Sequence, residues 1–215
     1  MTPGASGSFP VCLVSALLVF GCGTNSVHTV NKVGVPTSRP GSVVSQVYRV
    51  PSGSMEPTLP LGARVVARKG QLVVGAIVVG HPPQGFDVQE CGPNPHVIPA
   101  GGAACNKPIF EESEITAIKR IVAGPGDEIY IRNGHVYRKT SDSDRFVREG
   151  DSYIRPCGAR PECNFPVAIK IPAEHWFLMG DNRGESDDSR YWGPVPAAWI
   201  VGVVTGVRRR SVPQG

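Results

Sequence analysis

The sequence predicts a mostly β protein, and three observations carry that expectation. Glycine (26) and proline (21) make up more than a fifth of the 215 residues. Long stretches with apolar residues at helical spacing are scarce, and the apolar runs that exist are short, β-branched and bounded by Gly, Pro or Asn. In chain order, the strand candidates are Ala63-Arg64-Val65-Val66-Ala67, Gln71-Leu72-Val73-Val74, Ala76-Ile77-Val78-Val79, Glu128-Ile129-Tyr130-Ile131 and Trp199-Ile200-Val201-Gly202-Val203-Val204. Between Tyr130 and Tyr137, Asn133-Gly134 separates two apolar runs, the commonest signal for a two-residue hairpin turn.

With 40% hydrophobic and 19% charged residues, the chain supports one well-packed domain and therefore one active site. The formal charge is +4, with 22 basic and 18 acidic residues interspersed along the chain. Only Arg208-Arg209-Arg210 and the group Arg64, Arg68 and Lys69 stand out as basic clusters, which gives little support to nucleic-acid binding. Both read first as solvated surface, and second as a weak attraction to anionic lipid headgroups.

The apolar segment from Phe9 to Gly21 is too short to span a hydrocarbon core as one helix and resembles the core of an export signal. Val19-Phe20-Gly21-Cys22 resembles a bacterial lipoprotein processing site, with lipidation at Cys22; an uncleaved short membrane anchor and a misassigned start are the alternatives. Residues 1–22 are thus expected to be an export signal or anchor, and residues 23–45, rich in Gly, Ser, Thr, Val and Pro, a linker. Cys91, Cys105, Cys157 and Cys163 remain for the globular part. They contain no Cys-x-x-Cys pair, which argues against a zinc site. Of the three possible pairings, Cys91–Cys105 with Cys157–Cys163 closes the shortest loops, implying an oxidising compartment.

A serine becomes a useful nucleophile when a neighbouring base takes its proton. The five histidines, at 28, 81, 96, 135 and 175, form no metal-ligand pattern and are expected to be surface or loop residues. Three other segments stand out. Val50-Pro51-Ser52-Gly53-Ser54-Met55-Glu56-Pro57-Thr58-Leu59 reads as a shaped loop presenting a hydroxyl. Ile118-Lys119-Arg120-Ile121-Val122-Ala123 places a lysine in an apolar strand pattern that breaks at Gly124-Pro125-Gly126-Asp127. Burial disfavours the ammonium form, and lowering a lysine pKa from about 10.4 to near 8 costs roughly 3 kcal/mol, which one desolvated site can supply. The third segment, Met179 to Gly193, is dense in small polar and charged residues that can hydrogen-bond one another.

Taken singly, each segment has a bland explanation: a linker turn, a solvent-facing lysine, a polar surface loop. Together, in order and spacing, Ser-Gly-Ser-Met-Glu-Pro-Thr-Leu, Lys-Arg-Ile-Val-Ala-Gly-Pro-Gly-Asp and Gly-Asp-Asn-Arg with a following Asp-Ser-Arg resemble the motifs of type I signal peptidases. The resemblance implies an antiparallel β-sheet catalytic core over residues 46–210, with short β insertions near 81–110 and 138–171. It implies Ser54 as nucleophile and Lys119 as general base. It also implies an oxyanion site from the Ser54 N–H and Ser52 hydroxyl, and Ser186 as the group orienting the lysine. Asp188 and Arg190 match a structural acid–base pair, while Gly180, Asp181, Asn182 and Arg183 shape the loop beside the site. Met55, Leu59 and Ile118 match apolar residues lining shallow pockets for small side chains.

The implied activity is removal of signal peptides from exported preproteins after Ala-x-Ala-type sites, with the substrate extended along a strand edge. The implied setting is the cell membrane, catalytic domain on the extracytoplasmic side, with lipid and the secretion translocon as partners and no cofactor, metal or nucleic acid. The alternatives are a Ser/Lys processing peptidase for a narrow substrate set and an inactive peptide-binding relative. A Ser-x-x-Lys penicillin-binding protein is excluded, because Ser54-Met55-Glu56-Pro57 lacks the lysine.

Overall fold

The structure, a computed structural model, describes residues 44–84, 102–107, 111–158 and 160–208. All of them belong to one compact unit, Gly41–Gly215. The expected export segment with Cys22, residues 23–43, His28, His96, Cys91 and most of the 81–110 elaboration lie outside the described residues. Among the described residues no helix is long and apolar enough to cross a membrane.

Among the described residues, eleven strands alternate with short turns of helix. They are β1 (Ser45–Arg49), β2 (Arg64–Arg68), β3 (Ile77–Gly80), β4 (Ala117–Ala123), β5 (Glu128–Arg132), β6 (His135–Lys139), β7 (Val147–Arg148), β8 (Phe165–Lys170), β9 (His175–Met179), β10 (Val195–Pro196) and β11 (Ile200–Arg208). The one α-helix among the described residues, α1, is Ser189–Trp192. A seven-stranded sheet runs β1-β2-β11-β3-β4-β9-β10 and a four-stranded sheet β7-β6-β5-β8. Every pairing between these strands is antiparallel, in line with the mostly β expectation. The break after β4 is built from its own residues: the Asp127 carboxylate accepts from the Gly124 N–H at 2.8 Å, turning the chain from the large sheet into β5 of the small one.

The Asn133-Gly134 hairpin forms as the sequence predicts. Arg132 pairs with His135, and both turn residues take positive φ, 52° and 82°, the geometry of a type I′ turn. The turn also bears on the site, because the Gly134 carbonyl accepts from Arg183 Nη1. A Cβ at Gly134 would sit 3.2 Å from both Arg183 Cβ and Cys157 Sγ. Gly134→Ala is therefore expected to cost about 1–2 kcal/mol, read as a lower melting temperature.

One strand expectation is corrected. Residues 71–74 pair with no strand. Gly75 (φ 93°) donates to the Ile121 carbonyl at 2.8 Å and Ala76 to the Val73 carbonyl at 3.1 Å, so the chain turns there. Leu72 and Val74 still pack on the core, which accounts for their alternating apolar pattern without a ladder. His135 and His175 open strands β6 and β9 and stay partly exposed, and His135 Nδ1 lies 2.8 Å from Asp151 Oδ2.

The loop from Val50 to Ala63 is fastened at both ends. Val50 donates to Ala63 (2.8 Å), Gly62 to Val50 (2.9 Å) and Leu59 to Met55 (2.9 Å), all through backbone groups. Met55 and Leu59 drop into an apolar cluster with Val50, Val65, Ala67, Val79 and Ile118. Each contributes about 1.5–3 kcal/mol by burial, so Ser54, between these anchors, stands on a rigid turn.

Candidate active site

Ser54 lies in a single 3-10 turn, Gly53–Met55, whose N-cap is Ser52. The Ser52 hydroxyl donates to Ser54 Oγ at 3.1 Å, and the Ser54 N–H points back at Ser52 Oγ at 3.5 Å. The opposite wall is the start of β4. A cleft of about 80 Å³ is lined by Val50, Pro51, Ser52, Ser54 and Met55 on one side and Thr116, Ala117, Ile118 and Lys119 on the other. Its volume suits small side chains. Leu59 is not among the lining residues; it is buried beneath, in the cluster that supports Met55 and Ile118.

The cleft runs along an open strand edge. Residues Ala117, Ile118 and Lys119 pair with Gly80, Val79 and Val78 of β3, but β9 pairs with β4 only from Arg120 onward. Among the described residues no strand pairs with the free side of that stretch, and the facing wall at Ser52 is extended (φ −144°, ψ 170°). An extended peptide can add there as a strand.

Lys119 is 5% exposed, and its Nζ donates to Ser186 Oγ at 2.9 Å. Nζ also sits 5.7 Å from the centre of the Trp192 ring. Burial lowers its pKa to about 8, against the pull of Asp188 and Asp187, which favour the charged form.

Hydrogen bonds tie the 180–190 loop to the Ser54 turn and to itself. Asn182 donates from its backbone to the Ser54 carbonyl (3.0 Å) and from Nδ2 to the Gly53 carbonyl (3.2 Å). The Gly180 N–H donates to Asp188 Oδ2 at 3.0 Å, and Arg183 Nε to the Gly180 carbonyl at 3.1 Å. Arg190 is fully buried and grips the Asp188 carboxylate with Nε (2.8 Å) and Nη2 (3.0 Å). The same guanidinium donates to the Ser186 carbonyl at 2.9 Å and the Glu162 carbonyl at 3.0 Å. Burial alone would raise the Asp188 pKa, but the Arg190 charge and hydrogen bonds outweigh it and hold the carboxyl below its ordinary value. Asp188 and Arg190 thus fix Ser186, and Ser186 fixes the Lys119 amine.

A second buried link went unassigned in the sequence. Arg120, next to Lys119 on β4, binds the Asp181 carboxylate with Nε (2.8 Å) and Nη2 (2.7 Å), while the Thr58 hydroxyl donates to Asp181 Oδ2 at 2.6 Å. One carboxylate therefore joins all three motif segments. The signal available was an arginine inside an apolar strand pattern, which demands a buried partner. Cys157 and Cys163 form the expected disulfide, and the Cys157–Cys163 loop supplies the Glu162 carbonyl that Arg190 uses. Cys105 is also disulfide-bonded.

Comparison with known proteins identifies the family. The family model for signal peptidase, peptidase S26, matches residues 40–207. The chain belongs to that family, and within it to the type I peptidases. It is 32% identical over 169 residues to "Probable signal peptidase I-1" of Synechocystis, covering 74% of this chain and 68% of that one. It is 29% identical to "Probable signal peptidase I-2" of the same organism, over 74% of this chain and 61% of that one. With "Thylakoidal processing peptidase 1, chloroplastic" of Arabidopsis thaliana it shares 30% identity, over 75% of this chain and 41% of the longer relative. The chain thus spans 41–68% of the length of these three relatives.

Proposed function

We propose that the protein cleaves signal peptides from exported preproteins with Ser54 as nucleophile and Lys119 as general base. The observation that carries this is a buried lysine, its pKa lowered to about 8, sharing a small cleft with a serine on a rigid turn. Ser54 Oγ bonds to the scissile carbonyl carbon and its proton passes to the neutral Lys119 Nζ. The oxyanion is met by the Ser54 N–H and, once its hydroxyl turns from Ser54 Oγ, by Ser52. Collapse breaks the C–N bond, and the leaving amine takes the proton from Lys119. A water deprotonated by Lys119 then attacks the ester carbon; the bond to Ser54 Oγ breaks, and Lys119 returns the proton to Oγ. In this structure Nζ donates to Ser186 rather than to Ser54; such contacts commonly tighten only with substrate bound.

The substrate lies along the open edge of β4, with Met55 and Ile118 in the cleft wall admitting small side chains and Leu59 supporting them from below; cleavage follows an Ala-x-Ala-type site. The enzyme works at the membrane on the extracytoplasmic side, with the translocon delivering substrate. The test incubates the full chain in detergent with a peptide carrying an Ala-x-Ala site. Cleavage after the second alanine, lost in Ser54→Ala without loss of the folded state, is the expected result. Absence of cleavage by folded protein would favour a narrow-substrate processing peptidase or an inactive peptide binder.

A further inference from the structure

We propose that Arg155 is a specificity residue for the leaving half of the substrate, where it pairs with an acidic side chain among the first three residues after the cut. Its place there follows from the proposed Ser54 and Lys119 chemistry, on which this assignment rests. The cleft holds the acyl half, and its two walls, from Val50 and from Thr116, lead towards Ser54 and Lys119. The leaving nitrogen takes its proton from Lys119 Nζ, which is fastened to Ser186 Oγ at 2.9 Å. The released chain therefore starts between Ser54 and the 180–186 loop and departs past them, outside the cleft.

Arg155 stands at that exit. Its N–H donates to the Asp181 carbonyl at 2.8 Å, and its carbonyl accepts from the Arg183 N–H at 3.1 Å. The Arg155 backbone thus runs parallel beside Asn182, the residue that holds the Ser54 and Gly53 carbonyls. From this anchor the side chain reaches back to the Ser54 turn, with Nη2 3.4 Å from Glu56 Oε2. Glu56 lies against Gly53, where an added Cβ would meet the Glu56 carboxyl carbon at 3.8 Å. Neither Glu56 nor Arg155 lines the cleft, so the pair sits beyond the acyl half and next to the nucleophile.

Charge and exposure favour an acid in the substrate. The Arg155 side chain is 55% exposed, against 33% for Glu56. Among the described residues Glu56 is the one ion-pair or hydrogen-bond partner of the Arg155 guanidinium, through one nitrogen and at a distance too long for a good hydrogen bond. Such an exposed pair is weak, and most of the five N–H donors of the guanidinium stay available to a second carboxylate, which it can take through two parallel bonds. Pro156 and the disulfide-bonded Cys157 follow directly, so the backbone is held while the side chain is free to turn. A basic substrate residue would instead face Arg155 and, during the reaction, the Lys119 ammonium.

The test gives the full chain in detergent Ala-x-Ala peptides that carry Glu, Gln or Lys at the first, second or third position after the cut. At one of these positions Glu is expected to raise kcat/KM about two- to fivefold over Gln, mainly through KM, and Lys to lower it. In Arg155→Gln that advantage should vanish while the Gln peptide is cut as by the parent, and in Arg155→Glu the order should reverse. Glu56→Gln, which releases Arg155, should widen the advantage, and high salt should narrow it. A purely structural Arg155 would lower cleavage of every peptide alike. Equal cutting of Glu and Gln peptides at all three positions, or an advantage that survives in Arg155→Gln, overturns the proposal. Affinities of the same peptides for Ser54→Ala are measured alongside. If the folded parent cuts no peptide, the Ser54 and Lys119 chemistry fails by itself, and these affinities decide on Arg155. Tighter binding of the Glu peptide that disappears in Ser54→Ala/Arg155→Gln supports the assignment; equal or absent binding overturns it.

Discussion

Lys119→Met is expected to abolish cleavage while raising the melting temperature. The lysine is 5% exposed and its pKa is lowered to about 8. In the unfolded chain it titrates near 10.4. Below about pH 8 both states are protonated, and the folded state carries the full cost of a buried ammonium, about 3 kcal/mol. That cost is relieved as pH rises from about 8 towards 10.4, so stability increases over this window. Methionine removes the charge at every pH and keeps most of the volume, which should stabilise the protein by about 1–3 kcal/mol at neutral pH. Activity should fall by about 10⁴-fold, as when any member of a nucleophile–base pair is removed. In the parent protein, kcat/KM should climb about tenfold per pH unit below 8 and level off above it, because only the neutral amine accepts a proton. Denaturation and cleavage assays from pH 6 to 10 read both effects. Retained activity in Lys119→Met, or a flat profile from pH 7 to 9, would remove Lys119 from the mechanism.

Gly180→Ala should be strongly damaging to both stability and cleavage. An added Cβ would lie 2.2 Å from Ser186 Oγ, 2.5 Å from Ser186 Cβ and 2.5 Å from the Ser54 carbonyl oxygen. None of these neighbours can yield cheaply: Ser186 accepts from Lys119, and the Ser54 carbonyl accepts from Asn182. A loss of at least about 3 kcal/mol is expected, at the upper end of overpacking costs, or a melting temperature lower by about 6–12 °C. Cleavage should fall by about 100-fold or more even in molecules that remain folded, since small displacements of positioned groups are costly. Gly150→Ala, where a Cβ meets nothing within 4 Å, is the control and should change neither quantity. If Gly180→Ala behaves like this control, the close packing around Ser186 is not what holds the site.

What the sequence made legible follows the range of the interactions. The Asn133-Gly134 hairpin was visible because its turn is a local φ requirement. The three motif segments were visible because each packs unusual residue types into a few positions. Residues 71–74 misled because alternating apolar side chains can bury from a turn as well as from a strand; the partners at Ile121 and Arg120 that bend this segment lie about 45 residues away. The Asp181 link to Arg120 and Thr58 spans 61 and 123 residues, and no spacing rule connects them.

On the proposed chemistry, the depressed pKa of Lys119 also makes folding itself the activation step. In the nascent or unfolded chain that amine is an ordinary ammonium ion, unable at neutral pH to take a proton from any serine. It becomes a base only when the sheet closes over it and Ser186 arrives from a segment 67 residues away. On the proposed chemistry, a half-folded molecule is harmless to the exported chains around it. The protein would then need no removable inhibitory segment to stay silent, because its reactive state and its native state are the same.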